Sequence, residues 1–259
     1  MPMQGISEVE LSYFELQAYV GTTKHMGGLK ATEELLALCP IDGDAYVLDV
    51  GCGADATACY LAKKYGCRVM GVDLLESMIA RSSERARRES VADRAEFRVA
   101  DAQDLPFEDA LFDLVIGESV ITFIEDKGKA VSECVRVTKP GGYVGLNEET
   151  WMKTPVPAEL VEFVSRTWGG AKPETPDGWA ALLEGAGLRD VVVRTHRFSA
   201  LREASQIRRY SFGDLARMLY RTVSLYTGSP AFRRYMKGRR SLPRNIWDYL
   251  GYGIYVGRK

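Results

Sequence analysis

The hydrophobic positions change period along the chain, and the changes mark its elements. Apolar residues at helical spacing run to Cys39-Pro40, so 7–38 reads as helical, broken by the glycine-containing stretch 21–28. Short continuous apolar runs then take over. Tyr46 to Val50 stops at a glycine, Arg68 to Val72 at Asp73, and Ala95 to Ala100 at Asp101. Phe112 to Ile116 runs into Gly117-Glu118, and Tyr143 to Leu146 opens a fifth run after the turn Lys139-Pro-Gly-Gly142. Runs of this kind suit strands covered on both faces. Between them lie amphipathic stretches, about 55–65, 75–89 and 125–137. Residues 179–188 add a helix, 190–195 a strand, and Tyr252 to Val256 a final strand. Strands alternating with helices imply a parallel sheet with right-handed crossovers. The expected fold class is α/β: a seven-stranded, mostly parallel sheet with helices on both faces. Between the last two strands, Ile207, Tyr210, Met218, Val223 and Tyr226 keep helical spacing, which predicts a helical lid inserted before the last strand. The expected organisation is an N-terminal helical cover over 1–30, a core over 31–197 and 251–259, and the lid over 198–250.

Composition narrows the class. The 259 residues are 46% hydrophobic and 27% charged, which excludes a disordered or low-complexity chain. Five cysteines, Cys39, Cys52, Cys59, Cys67 and Cys134, form no C-x-x-C pair, so they read as reduced thiols of a cytoplasmic protein. No apolar run approaches the roughly 20 residues of a membrane-spanning helix. No metal-ligand cluster is visible, and the expectation is no metal.

The chemistry concentrates at the ends of the predicted strands. In Val47-Leu-Asp49-Val-Gly51-Cys-Gly53-Ala-Asp55 a strand enters Gly-x-Gly and then a helix. Such glycines let a ligand approach the backbone, and the helix start offers free N–H groups. A third glycine is absent, since Asp55 and Ala56 follow, and Asp49 precedes the loop. Carboxylates there would repel a pyrophosphate and suit a cationic or amino-bearing ligand. Asp73 lies about twenty residues on, where a carboxylate can accept both ribose hydroxyls. Asp101-Ala102 and Gly117-Glu118 end two further strands. All of these points fall at the carboxyl ends of parallel strands, where open α/β sheets bind ligands.

At these residues the chain resembles the class I S-adenosylmethionine-dependent methyltransferases, a Rossmann-like fold. The matching segments are V-L-D-V-G-C-G (47–53), G-V-D (71–73), V-A-D-A-Q-D-L-P-F (99–107), F-D-L-V-I-G-E-S (112–119) and V-T-K-P-G-G-Y (137–143). The likeness is to the small-molecule branch of ubiquinone/menaquinone and sarcosine/dimethylglycine type. It implies S-adenosyl-L-methionine as cofactor, S-adenosyl-L-homocysteine as product and a small molecule with an N, O or C nucleophile as acceptor. It implies that Asp49, Gly51 and Gly53 line the methionine moiety. Asp73 would bind the ribose, Leu74 would pack on the adenine, and Asp101 and Ala102 would hold the adenine edge. Glu118 and Ser119 would lie near the sulfonium. Transfer from a sulfonium rests mainly on orientation and exclusion of water, with a general base needed only for an acceptor that loses a proton. The candidate catalytic residues are His25, Glu118 and Glu148, with Glu149 the alternative to Glu148. His196 reads as structural. Two further readings stay open: a lipid- or quinone-precursor methyltransferase at a membrane surface, and a non-catalytic S-adenosylmethionine-binding regulator.

The formal net charge of −1 hides an asymmetry. Residues 194–259 carry 15 Lys+Arg and three acids, a net +12 against −13 in 1–193. A basic lid docked on the acidic core or on a second subunit, an anionic small-molecule acceptor, and an anionic surface, either membrane lipid or RNA, are the competing explanations. No nucleic-acid motif accompanies the charge, so nucleic acid is not an expected partner.

Overall fold

In the computed structural model the described residues are 13–20, 25–54, 56–230, 232–233, 236 and 242–259. One seven-stranded sheet organises them, in the order β3-β2-β1-β4-β5-β7-β6. The strands are β1 (Tyr46–Val50), β2 (Arg68–Asp73), β3 (Ala95–Val99), β4 (Phe112–Glu118), β5 (Thr138–Trp151), β6 (Arg189–Arg197) and β7 (Leu250–Arg258). β1 pairs in parallel with β2 and β4, and β7 runs antiparallel between β5 and β6. The sheet is thus mostly parallel, and the change of winding direction falls between β1 and β4. There the loops after the two strands part and leave a crevice at their carboxyl ends.

The helices cover both faces. α1 (Tyr13–Val20), α2 (Gly28–Leu38), α3 (Thr57–Tyr65) and α4 (Glu76–Arg88) precede β3. α5 (Lys127–Val137), α6 (Ala158–Thr167) and α7 (Pro176–Gly185) follow β4. Strand alternation sorts the core into two layers. Val47, Leu114 and Ile116 pack with Leu35 and Leu61 of α2 and α3. Leu48, Val50 and Val115 face the other way, with Val131 of α5 and Trp179 of α7. Local signals fix the helix starts: Asp126 accepts the Lys129 N–H at 2.9 Å, and Thr175, followed by Pro176, accepts that of Gly178 at 3.1 Å.

Two expected elements are longer than the apolar pattern indicates. β5 begins at Thr138, before the turn glycines, with an irregular register against Phe112. β7 spans 250–258 because both of its edges are paired, so its glycines sit in a covered strand. Between β6 and β7 the described residues form α8 (Ala200–Ala204), a 3₁₀ turn (Ser205–Arg209), α9 (Phe212–Gly228) and a short helix (Ile246–Tyr249). α9 opens with a capping box, Ser211 and Asp214 bonding each other's backbone N–H. It packs on α1, where Arg221 donates to the Tyr19 carbonyl. No helix among the described residues is long and apolar enough to cross a membrane. All five cysteines are buried.

Candidate active site

The loop after β1 is held in a shape only glycine permits. Gly51 and Gly53 have φ of +67° and +58°. A Cβ on Gly51 would lie 2.3 Å from a Val120 methyl. Asp73, at the end of β2, accepts the Gly53 N–H at 3.0 Å and the Leu75 N–H at 2.9 Å. Ser82 of α4 is buried and donates to the Gly53 carbonyl at 2.7 Å. Burial pushes the Asp73 carboxyl above the ordinary carboxylate range, and the backbone N–H groups pull it partly back.

This loop forms one wall of a cavity of about 400 Å³ at the carboxyl ends of β1, β2 and β4. The size suits a small molecule or cofactor. Gly51, Gly53, Asp73, Leu74, Asp101, Ala102, Glu118 and Ser119 all line it. Leu74 is 68% exposed, an apolar side chain held out where a flat ring can cover it. Asp73, Asp101, Glu118, Glu125 and Glu149 supply carboxylates, and no lysine or arginine lines the cavity among the described residues. A pyrophosphate would find no cation there. A ligand with a sulfonium and an ammonium group fits that lining. Asp55, which stands where a third glycine was sought, lies outside the described residues.

Three expected site residues sit differently. Asp49 is buried in β1 and is not part of the cavity wall. It shares a sheet face with Glu118, because Asp49 pairs in register with Ile116 of β4. Glu118 therefore points toward α2 and α3, where Thr32 donates to one carboxylate oxygen at 2.7 Å and Thr57 to the other at 2.9 Å. His25 is buried behind it, Nε2 lying 3.7 Å from Glu118 Oε2, while Asn147 Nδ2 lies 3.0 Å from Nδ1. Among the described residues His25 does not line the cavity, and it stands behind Glu118, which does.

Glu148, expected among the catalytic residues, does not line the cavity. Alternation along β5 turns it away from the cavity, and its carboxylate accepts the N–H groups of Val120, Ile121 and Thr122 at 2.9–3.1 Å. It is wholly buried, and burial beside Glu149 pushes its carboxyl up. Its work is to hold the loop after β4. Glu148→Ala is expected to strand three donors and cost about 3 kcal/mol of stability, read as a lower denaturant midpoint. A midpoint like that of the parent would overturn this role.

Glu149, one residue on, faces the cavity and accepts the Ser119 hydroxyl at 2.9 Å. Ser119 holds a left-handed backbone, φ +55°, while its N–H meets the Asn147 carbonyl at 2.7 Å. A non-glycine residue there stores strain of about 1 kcal/mol, a feature that clusters at functional sites. Phe14 and Gln17 of α1, a helix within the stretch expected as an N-terminal cover, join Phe123 and Trp168 in closing the cavity beyond Ser119, with Phe14 edge-on to Phe123 at 5.0 Å; none of the four was named as a site residue from the sequence. The 198–250 segment expected as a lid contributes no described residue to the wall; α9 backs α1 instead.

The geometry agrees with what known proteins share with this chain. A methyltransferase domain model matches residues 48–146. An uncharacterized protein of Haemophilus influenzae is 34% identical over 178 residues, covering 67% of this chain and 70% of that one. Tocopherol O-methyltransferase of Arabidopsis thaliana is 44% identical over 98 residues, 38% of this chain and 28% of its own length. Among solved structures, Haemonchus contortus phosphoethanolamine N-methyltransferase 2 in complex with S-adenosyl-L-methionine superposes with a TM-score of 0.72 at 23% identity, covering 95% of this chain and 56% of that one. The glycine loop, the Asp73 carboxylate and a cavity with no cation among its described lining residues suit such a cofactor, and the chain belongs to the class I S-adenosylmethionine-dependent methyltransferases.

Proposed function

We propose that the chain methylates a proton-bearing nitrogen or oxygen of a small molecule that is uncharged or cationic and carries an apolar or ring portion, with Glu149 as general base. One observation carries this reading. Beyond Ser119 the cavity is closed by Phe14, Phe123 and Trp168, its nearby polar groups are Gln17 and carboxylates, and it has no described cationic side chain. An anionic acceptor, one of the expectations from the basic C-terminal region, would meet carboxylates there. Aromatic faces beside a carboxylate suit a ring or an ammonium group.

When bound, S-adenosylmethionine supplies an activated methyl group. The chain's residues orient, exclude water and take a proton. Asp73 and the glycine loop fix the nucleoside end. Glu118, fastened by Thr32 and Thr57, has its carboxylate oxygens occupied and serves as a fixed negative charge for a cationic group. Glu149 lies at the cavity wall and can take the acceptor's proton. Phe14, Phe123 and Trp168 keep water from the reacting atoms. Similarity to an O-methyltransferase of tocopherol and a fold shared with an N-methyltransferase of phosphoethanolamine both support a proton-bearing nucleophile. The named relatives extend well beyond the matched region, so neither acceptor is carried over.

The test is a methyl-donor turnover screen with phenols, primary and secondary amines, and matched phosphorylated or carboxylated analogues. Turnover is expected with the uncharged or amine members. Preference for the anionic analogues, or cofactor binding without turnover on any member, would overturn the reading.

A further inference from the structure

α9 is amphipathic, and its large apolar stripe faces outward. The inward stripe is mixed: Asp214 and Leu225 are buried, Met218 is half-buried, and Arg221 donates to the Tyr19 carbonyl. The outward stripe, at spacings of three, four and seven, is Phe212, Ala216, Leu219, Tyr220, Val223 and Tyr226. It contains no charge. Phe212 is 89% exposed, Tyr220 75% and Leu219 66%. Exposed side chains of this size on one face mark an interaction site rather than scatter.

Charge decides which partner fits. Part of the basic excess is absorbed internally: Arg194, His196 and Arg202 converge on Glu34 of α2. Arg88 of α4 pairs with Asp214 at 2.7 Å. The ends of the apolar stripe are not neutralised. Arg208 precedes it, and Arg233 folds back to donate to the Tyr226 and Thr227 carbonyls at 2.9 and 3.0 Å. Arg208, Arg233 and Arg244 are exposed and form no ion pair among the described residues. A second copy of this chain would bring another +12 region against the first, which opposes self-association through this face. An anionic lipid surface offers the opposite charge to the arginines and an apolar layer to the stripe.

We infer that α9 docks this enzyme on anionic membrane surfaces, with the Phe212–Tyr226 face lying in the headgroup layer and the flanking arginines on lipid phosphates. Because α9 packs on α1, docking places the cover of the cofactor cavity next to the lipid surface. The inference does not depend on which acceptor the enzyme uses.

The experiment is sedimentation of the full chain with phosphatidylcholine vesicles, with and without about 30% phosphatidylglycerol, at low salt and at about 0.5 M salt. Binding to the anionic vesicles should exceed that to neutral ones about tenfold and fall in high salt. The triple variant Phe212→Ser, Leu219→Ser, Val223→Ser should lose it while keeping the parent's melting temperature and cofactor affinity. Three results would overturn the inference. One is no sedimentation at low salt, and another is equal binding to neutral and anionic vesicles. The third is a parent dimer that the triple variant converts to monomer, which would make the face a contact between copies.

Discussion

Asp73→Asn is expected to raise the dissociation constant for S-adenosylmethionine about a hundredfold, a loss of about 3 kcal/mol. Two effects combine. The carboxylate holds the glycine loop through the Gly53 N–H, and it faces the cavity where it can accept ribose hydroxyls. Asparagine keeps one acceptor oxygen but presents an NH₂ where the other carboxylate oxygen accepts a backbone N–H. It also removes the charge that strengthens each bond. Calorimetric titration reads the effect directly. The pH dependence supplies an independent check. Burial raises the Asp73 pKa, so parent affinity should fall as pH drops through that raised value, where the carboxylate takes a proton. The variant has no such proton to take, and its affinity should lose that limb. Equal affinities for parent and variant would remove Asp73 from the binding site.

The parallel sheet was legible because its strands are continuous apolar runs stopping at Gly or Asp. Burial on both faces demands that pattern, and ligand contact demands those stops. Gly51, Gly53, Asp73 and Asp101 followed from the same logic, and the structure gathers them in one cavity. What was not legible depends on which face a residue takes. Glu148 and Glu149 are chemically identical neighbours, and one step along β5 separates a loop clamp from a cavity carboxylate. The parity was available in principle: Val144 and Leu146 lie on the α5/α7 face, and Glu148 continues that series. Thr32, Thr57 and Ser82 carried no signal at all, because a buried hydroxyl that fastens a carboxylate or a carbonyl looks in sequence like any helix residue. Helical periodicity likewise marks the apolar face of α9 without telling whether a neighbouring element covers it.

Glu149→Gln should lower kcat by about 10²- to 10⁴-fold for an acceptor that must lose a proton. The change is nearly isosteric, and Gln can still accept the Ser119 hydroxyl bond that Glu149 receives at 2.9 Å. Affinity for S-adenosylmethionine should stay within a few-fold of the parent, since Asp73 and the glycine loop hold the nucleoside from the other side of the cavity. The acceptor's protonation state separates base catalysis from a structural role. An acceptor analogue supplied already deprotonated should react at similar rates in both. A variant that loses kcat equally on the deprotonated analogue would assign Glu149 to orientation, and the proton would then have to leave by another route. Glu118 is the other cavity carboxylate at this end, but two threonine hydroxyls occupy its oxygens. Glu118→Gln would force one of those hydroxyls to face an NH₂, so its expected signature is a higher KM for the cofactor rather than a loss of kcat. The two substitutions should therefore fail in different ways, one in the chemical step and one in binding.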